Sequence, residues 1–314
     1  MLKSFLIVIS TTFFSQFTFA QLPVSLTLPQ SSPFEERCIT IGLTEIGFEY
    51  SSVGIKEREI WGELVPYGEV WRTGANRNTV FTISDDVLIN GEELRAGSYG
   101  LHTIPGENEW ILIFSNFSEA WGSYFYDESE DALRITVPAE KMDSKYEWMK
   151  FSFSDYTPTS VEISLKWAYR KIPFTVEVPM EVTFKNIEKQ FKTLPAFGWQ
   201  GWVQGANYTL NNEYRLDKGL EWAEEALRIE RNLQTIGTVG KLYVLNNKKE
   251  KGFEYATELT KTWPENWRSY YSAAEIFETA GENNRAREAY LKARDLVTDQ
   301  NSKYVIQRRT DQLQ

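Results

Sequence analysis

Ser160-Val161-Glu162-Ile163-Ser164-Leu165-Lys166-Trp167-Ala168-Tyr169 alternates apolar residues with polar or small ones. That period of two is the mark of a strand with one dry face and one wet face. It recurs upstream. Ile46, Phe48 and Tyr50 alternate with Glu45, Gly47 and Glu49, and Leu133, Ile135 and Val137 alternate with Arg134 and Thr136. Asn90-Gly91 sits between Val87-Leu88-Ile89 and Glu92-Glu93-Leu94, a signal for a two-residue hairpin. Pro105-Gly106-Glu107-Asn108 marks another turn. From about residue 36 to 178 the chain therefore reads as short strands joined by turns, an antiparallel β-sandwich or jelly roll.

After Pro179 the period changes. Leu233–Asn266 and Trp267–Gln300 are consecutive blocks of 34 residues. In the second, Tyr270, Ala274, Phe277, Ala286, Tyr290 and Ala293 occupy the 4, 8, 11, 20, 24 and 27 positions of a tetratricopeptide repeat. In the first, Gly240, Tyr243, Gly252, Ala256 and Pro264 occupy positions 8, 11, 20, 24 and 32. Small residues there let the helices of a hairpin approach closely, and aromatics fill the space between hairpins. Gly219-Leu220-Glu221-Trp222-Ala223 echoes Gly252-Phe253-Glu254-Tyr255-Ala256 and announces an earlier unit. The chain thus divides into a β-sandwich at 36–178, a linker at 179–198 and a tetratricopeptide-like helical array at 199–314. Trp199 and Trp202 read either as a sugar platform or as a packing stripe.

The first twenty residues have the layout of a secretory signal peptide. Lys3 gives the basic start, Phe5-Leu6-Ile7-Val8-Ile9 opens an apolar core, and Thr18-Phe19-Ala20 ends in small residues that predict cleavage after Ala20. Residues 21–35 form an N-terminal extension, and the product is expected in the periplasm or outside the cell. No later segment is apolar enough to insert into a membrane. The net charge of −10 opposes nucleic-acid binding, which needs clustered cations. One cysteine (Cys38) and one histidine (His102) exclude an internal disulfide and the zinc sets built from those residues, and no cofactor motif is present.

Residues 42–105 carry distinctive strings: Gly42-Leu43-Thr44-Glu45-Ile46, Ile60-Trp61-Gly62-Glu63-Leu64-Val65-Pro66-Tyr67-Gly68, Val70-Trp71-Arg72-Thr73-Gly74-Ala75-Asn76, and Ala96-Gly97-Ser98-Tyr99-Gly100-Leu101-His102-Thr103-Ile104-Pro105. Through these, and through Trp121-Gly122-Ser123 and Asp131-Ala132-Leu133-Arg134, the segment to about Val178 resembles an exported bacterial family known as domain of unknown function 2911. The resemblance implies a fold and export, and brings no activity. Where the family carries Arg-Pro after Tyr-Ser, this chain has Ser52-Val53, and Glu57 stands where a glycine is expected before Arg58.

Three residues make the candidate ligand site. Arg72 and Asn76 lie in a glycine-containing loop, where a guanidinium fork beside an amide suits a carboxylate or a pair of hydroxyls. His102 joins them on the strand Ser98–Ile104, which carries glycines that admit close approach. The competing reading is structural: Arg72 paired with a carboxylate such as Glu63, and Asn76 closing a turn. Asp127-Glu128-Ser129-Glu130-Asp131 lacks the spacing of a calcium loop and reads as a solvated connection. Two functions follow. One is a non-catalytic binding or assembly module, with a small polar ligand or polymer on the β domain and a peptide or protein on the repeats. The alternative is a hydrolase of a cell-envelope or dietary polymer, using His102 or paired carboxylates drawn from Glu45, Glu49 and Glu63.

Overall fold

The computed structural model describes residues 28–313, so the expected signal peptide and its cleavage point lie outside the described residues. Among the described residues ten strands form two antiparallel sheets. In chain order they are β1 (Phe34–Ile41), β2 (Thr44–Ser51), β3 (Thr79–Ile83), β4 (Val87–Ile89), β5 (Glu92–Leu94), β6 (Gly97–Ile104), β7 (Glu109–Ser115), β8 (Asp131–Pro138), β9 (Glu140–Ser154) and β10 (Ser160–Glu177). One sheet has the order β1-β2-β3-β6-β7-β8, and the other β5-β4-β10-β9. Asn90 and Gly91 both have positive φ, 50° and 91°, and close the two-residue hairpin between β4 and β5.

The inward residues of the two sheets make one core. Phe48 of β2 stacks on Phe151 of β9 at 4.3 Å, and Phe81 and Phe114 meet Phe174 of β10 edge-on. Burying each such aliphatic or aromatic side chain contributes roughly 1.5–3 kcal/mol. The alternation of β10 holds for Val161, Ile163, Leu165 and Trp167, all buried, and then breaks. Ala168 has φ 51°, the pairing with β9 shifts register on either side of it, and Tyr169 turns outward to 53% exposure. Beyond this bulge the buried set is Ile172, Phe174 and Val176, one residue out of phase with the first half. The expectation of an inward Tyr169 is corrected accordingly.

Eight helices follow: α1 (Met180–Gln190), α2 (Trp199–Asn211), α3 (Leu216–Ile229), α4 (Leu233–Leu245), α5 (Lys249–Thr262), α6 (Trp267–Thr279), α7 (Asn283–Leu296) and α8 (Gln300–Gln312). The starts of α4 and α6, and those of α5 and α7, are one 34-residue repeat apart, as the sequence period requires. Asn232 and Asn266, at equivalent positions of successive repeats, N-cap α4 and α6. The small residues act as expected. A Cβ on Gly252 would lie 2.8 Å from the carbonyl oxygen of Gly240.

Residues 179–198, expected as a linker, instead hold α1 and a 3-10 turn at Leu194–Phe197. Val182 of α1 packs against the sandwich core, while Phe184 is buried in the helical cluster and stacks on Trp222 at 4.8 Å. Asn186 donates to Asp85 of the β domain at 3.1 Å. The helix therefore belongs to both units, and its short polar stretches disguised it as a connection. Trp202 stacks on Phe191 at 4.1 Å and donates its indole N–H to the Ala196 carbonyl, so it is a packing residue.

Ala274 is fully buried in a cluster with Ala286, Tyr290 and Ala293 of α7. Ala274→Trp should therefore overpack this hairpin and destabilise the protein by about 1–3 kcal/mol or more, read from urea unfolding. An unchanged midpoint would place the close contact elsewhere.

Candidate functional site

The Trp71–Asn76 string builds the end of the sandwich. Trp71 exchanges both backbone hydrogen bonds with Thr103 at 2.8 and 2.9 Å, which pins the loop to β6. Thr73 Oγ1 bonds Thr103 Oγ1 at 3.1 Å, and Thr79 Oγ1 donates to the Thr73 carbonyl at 2.6 Å. The Ala75 N–H donates to the Ser51 carbonyl at 3.0 Å. A Cβ on Gly74 would stand 3.2 Å from both that carbonyl and Thr79 Oγ1, so the close crossing needs glycine. Asn76 has φ 60° and donates through Nδ2 to Ser51 Oγ at 3.2 Å, which is the turn-closing role.

Arg72 has neither role foreseen for it in an ion pair with Glu63 nor one with any other carboxylate among the described residues. Its Nε is buried and has no hydrogen-bond partner. Nη1 lies 3.9 Å from where a Cβ on Gly122 would be. Arg72 lines a cavity of about 250 Å³. The wall includes Lys56 and Arg58, with Trp71, Trp167, Leu64 and Val65 as apolar parts and Ser31 and Ser32 beside them. The Trp167 indole N–H is likewise buried and unpartnered. A buried donor left unpaired costs roughly 1–3 kcal/mol, so such groups call for an explanation.

His102 and Asn76 are not part of that wall. Tyr99 and Leu101 point into the core, and His102 faces the other side of the sheet, 1% exposed. Its ring lies 5.3 Å from Tyr126 of the loop after β7. That loop packs so tightly that a Cβ on Gly100 would come within 2.5 Å of the Phe117 carbonyl oxygen. Burial holds the imidazole neutral and lowers its pKa to about 4. Of the carboxylates considered for acid–base chemistry, Glu49 is paired with Arg77 at 2.7 Å, and Glu63 is exposed. In the acidic stretch, Asp127 caps a short 3-10 turn and Asp131 pairs with Arg134 at 2.9 Å. No cluster of three or more metal-ligating side chains occurs among the described residues.

A second concavity runs along the helices. The first helices of successive hairpins, α2, α4 and α6, and then α8, line two adjoining hollows of about 420 and 180 Å³ that share Leu233, Gln234 and Ser272. Trp267, Tyr271 and Val305 give the larger one an apolar wall. Asn207, Thr238, Lys241 and Glu275 line the smaller, where Lys241 and Glu275 pair at 3.3 Å. The sequence pointed to a peptide or protein on the repeats without naming residues, because those of this groove come from four separated helices.

The molecule is thus an antiparallel β-sandwich carrying a tetratricopeptide-like array. Residues 32–176, the β domain, match the family described as "Protein of unknown function (DUF2911)". A comparison with curated proteins finds no match. Among solved structures the chain is similar to PcrH from Pseudomonas aeruginosa, at 12% identity over 37% of this chain and 87% of that one, with a TM-score of 0.31. It is similar also to the Sgt2 TPR domain from Aspergillus fumigatus, at 16% identity over 36% and 80%, TM-score 0.28. A third is MamA from Desulfovibrio magneticus RS-1, at 12% identity over 42% and 76%, TM-score 0.30. The array itself is read from this chain's own helix pairing and 34-residue period.

His102 titrates at an ordinary 6.5 when unfolded and at about 4 when folded. Its contribution to stability is fully present above pH 6.5 and is lost as pH falls from there toward 4, by about 3 kcal/mol. Urea unfolding across this range should show wild type losing that much stability relative to His102→Gln. Parallel pH profiles would mean that the imidazole is solvated.

Proposed function

We propose that this protein is an exported, non-catalytic binding module whose helical array holds an extended segment of another protein. The groove along α2, α4, α6 and α8 carries this reading. Amide and hydroxyl side chains such as Gln234, Asn207, Thr238 and Ser272 are suited to the donors and acceptors of a peptide backbone. Trp267, Tyr271 and Val305 offer an apolar seat for one large side chain. The Lys241–Glu275 pair keeps the smaller hollow near neutral, and Arg268 adds one cation at the larger. Export rests on the N-terminal twenty residues, and N-terminal sequencing of the secreted protein should start at Gln21. Retention of Met1 on a cytoplasmic product would refute that part.

Peptides selected on the full chain from a random library should carry an aromatic or large aliphatic anchor. Ser272→Arg places a long charged side chain where the two hollows meet and should weaken these peptides by about tenfold or more in fluorescence anisotropy, with the melting temperature retained. Peptides that bind the variant and wild type equally would remove the groove from the binding surface.

A further inference from the structure

The cavity at the end of the sandwich is built for a different guest. Its wall brings together Lys56, Arg58 and Arg72, and no carboxylate is among its lining residues. In a chain with a net charge of −10, three cations lining one cavity of about 250 Å³ whose wall holds no carboxylate raise the local potential.

The cations are held by the fold. Lys56 and Glu57 both have positive φ, 48° and 61°, and make the tight turn that lets Lys56 and Arg58 reach the same wall. Arg58 donates from Nε to the Ile55 carbonyl at 3.0 Å and from Nη2 to the Gly54 carbonyl at 2.7 Å, which fixes its guanidinium in place. Glu57 is in the turn itself but is not among the residues lining the cavity, and Glu147 caps the turn from β9. Its Oε1 is occupied by the Lys56 backbone N–H at 2.9 Å, and Oε2 is 3.5 Å from Lys145. Arg72 Nε and Trp167 Nε1 are buried donors without partners. Three cationic residues on one wall, with no carboxylate among its lining residues, match an oxyanion. The stacked pair Trp71 and Trp167, 5.6 Å apart, and Leu64 complete the wall with apolar surface.

We propose that this cavity is a binding site for a small organic anion, an oxyanion group carried on a compact apolar body. The cations hold the charged group, and the indole and aliphatic wall holds the body. The site is separate from the helical groove, so either can fail without the other.

Phenyl phosphate is the probe, with inorganic phosphate and benzyl alcohol as controls for the charged and apolar halves. Binding to the full chain is followed by calorimetry and by ligand-observed NMR. Phenyl phosphate should bind more tightly than either control by about tenfold, and its affinity should fall as salt is raised. Lys56→Asn removes a charge while keeping a residue that tolerates positive φ. It should weaken phenyl phosphate by about tenfold and leave benzyl alcohol unchanged. Arg72→Gln should do the same, and because Lys56 is exposed, its variant remains a test if the Arg72 variant does not fold. Absence of phenyl phosphate binding, equal affinity for benzyl alcohol, or full binding by a folded Lys56→Asn protein would each overturn the assignment.

Discussion

Four tryptophans hold the β domain together. Trp110 comes from β7 of one sheet and Trp167 from β10 of the other, while Trp61 and Trp71 come from the long connection between β2 and β3. Their ring centroids lie 4.8–6.2 Å apart, mostly edge to face, the arrangement that aromatic quadrupoles favour. The connection spanning 52–78 has little regular structure, so it would otherwise cost conformational entropy without return. Two indoles anchored in the core, and the Trp71–Thr103 backbone pair, fix it across the end of the sandwich. The cavity that Lys56, Arg58 and Arg72 line exists only because this irregular segment is held there.

The same economy appears at the junction between the halves. A linker would leave the sandwich and the array free to move. α1 instead places Val182 against one core and Phe184 in the other, two residues apart on one helix. Asp85 accepts from both Thr44 and Asn186, so the β2–β3 region and α1 share one carboxylate. Motion between the two units then requires disturbing apolar contacts on at least one side.

The two concavities differ in kind. The helical groove is lined by amides, hydroxyls and aromatics, with the Lys241–Glu275 pair in one hollow and Arg268 in the other. The sandwich cavity is lined by three cationic residues and no carboxylate. His102 belongs to neither. Buried under the Phe117–Tyr126 loop with its pKa lowered, it is a poor proton acceptor near neutrality and behaves as part of the packing on the outer face of the sheet.

Much of the architecture was legible in the sequence because it is periodic. Alternation identified the strands around Ile46, Leu133 and Val161, Asn90-Gly91 announced its hairpin, and the 34-residue period placed the starts of α4 and α6. Each of those signals is local and repeats, so a single chain suffices to read it. Two local features misled. The bulge at Ala168 reverses the phase of β10, and Lys- and Glu-rich α1 reads as a connection until its two apolar contacts are seen. Of the three residues selected for a ligand site, Arg72 lines the cavity, Asn76 closes the loop and His102 lies buried on the opposite face of its sheet. Lys56 was not singled out and Arg58 only as a position of the family pattern, because they sit in an aperiodic turn. Sequence determined which segments would be strands and helices. Only the tertiary structure decided which side chains share a space, since that depends on how the 52–78 segment folds back over two sheets and on contacts between residues far apart in the chain.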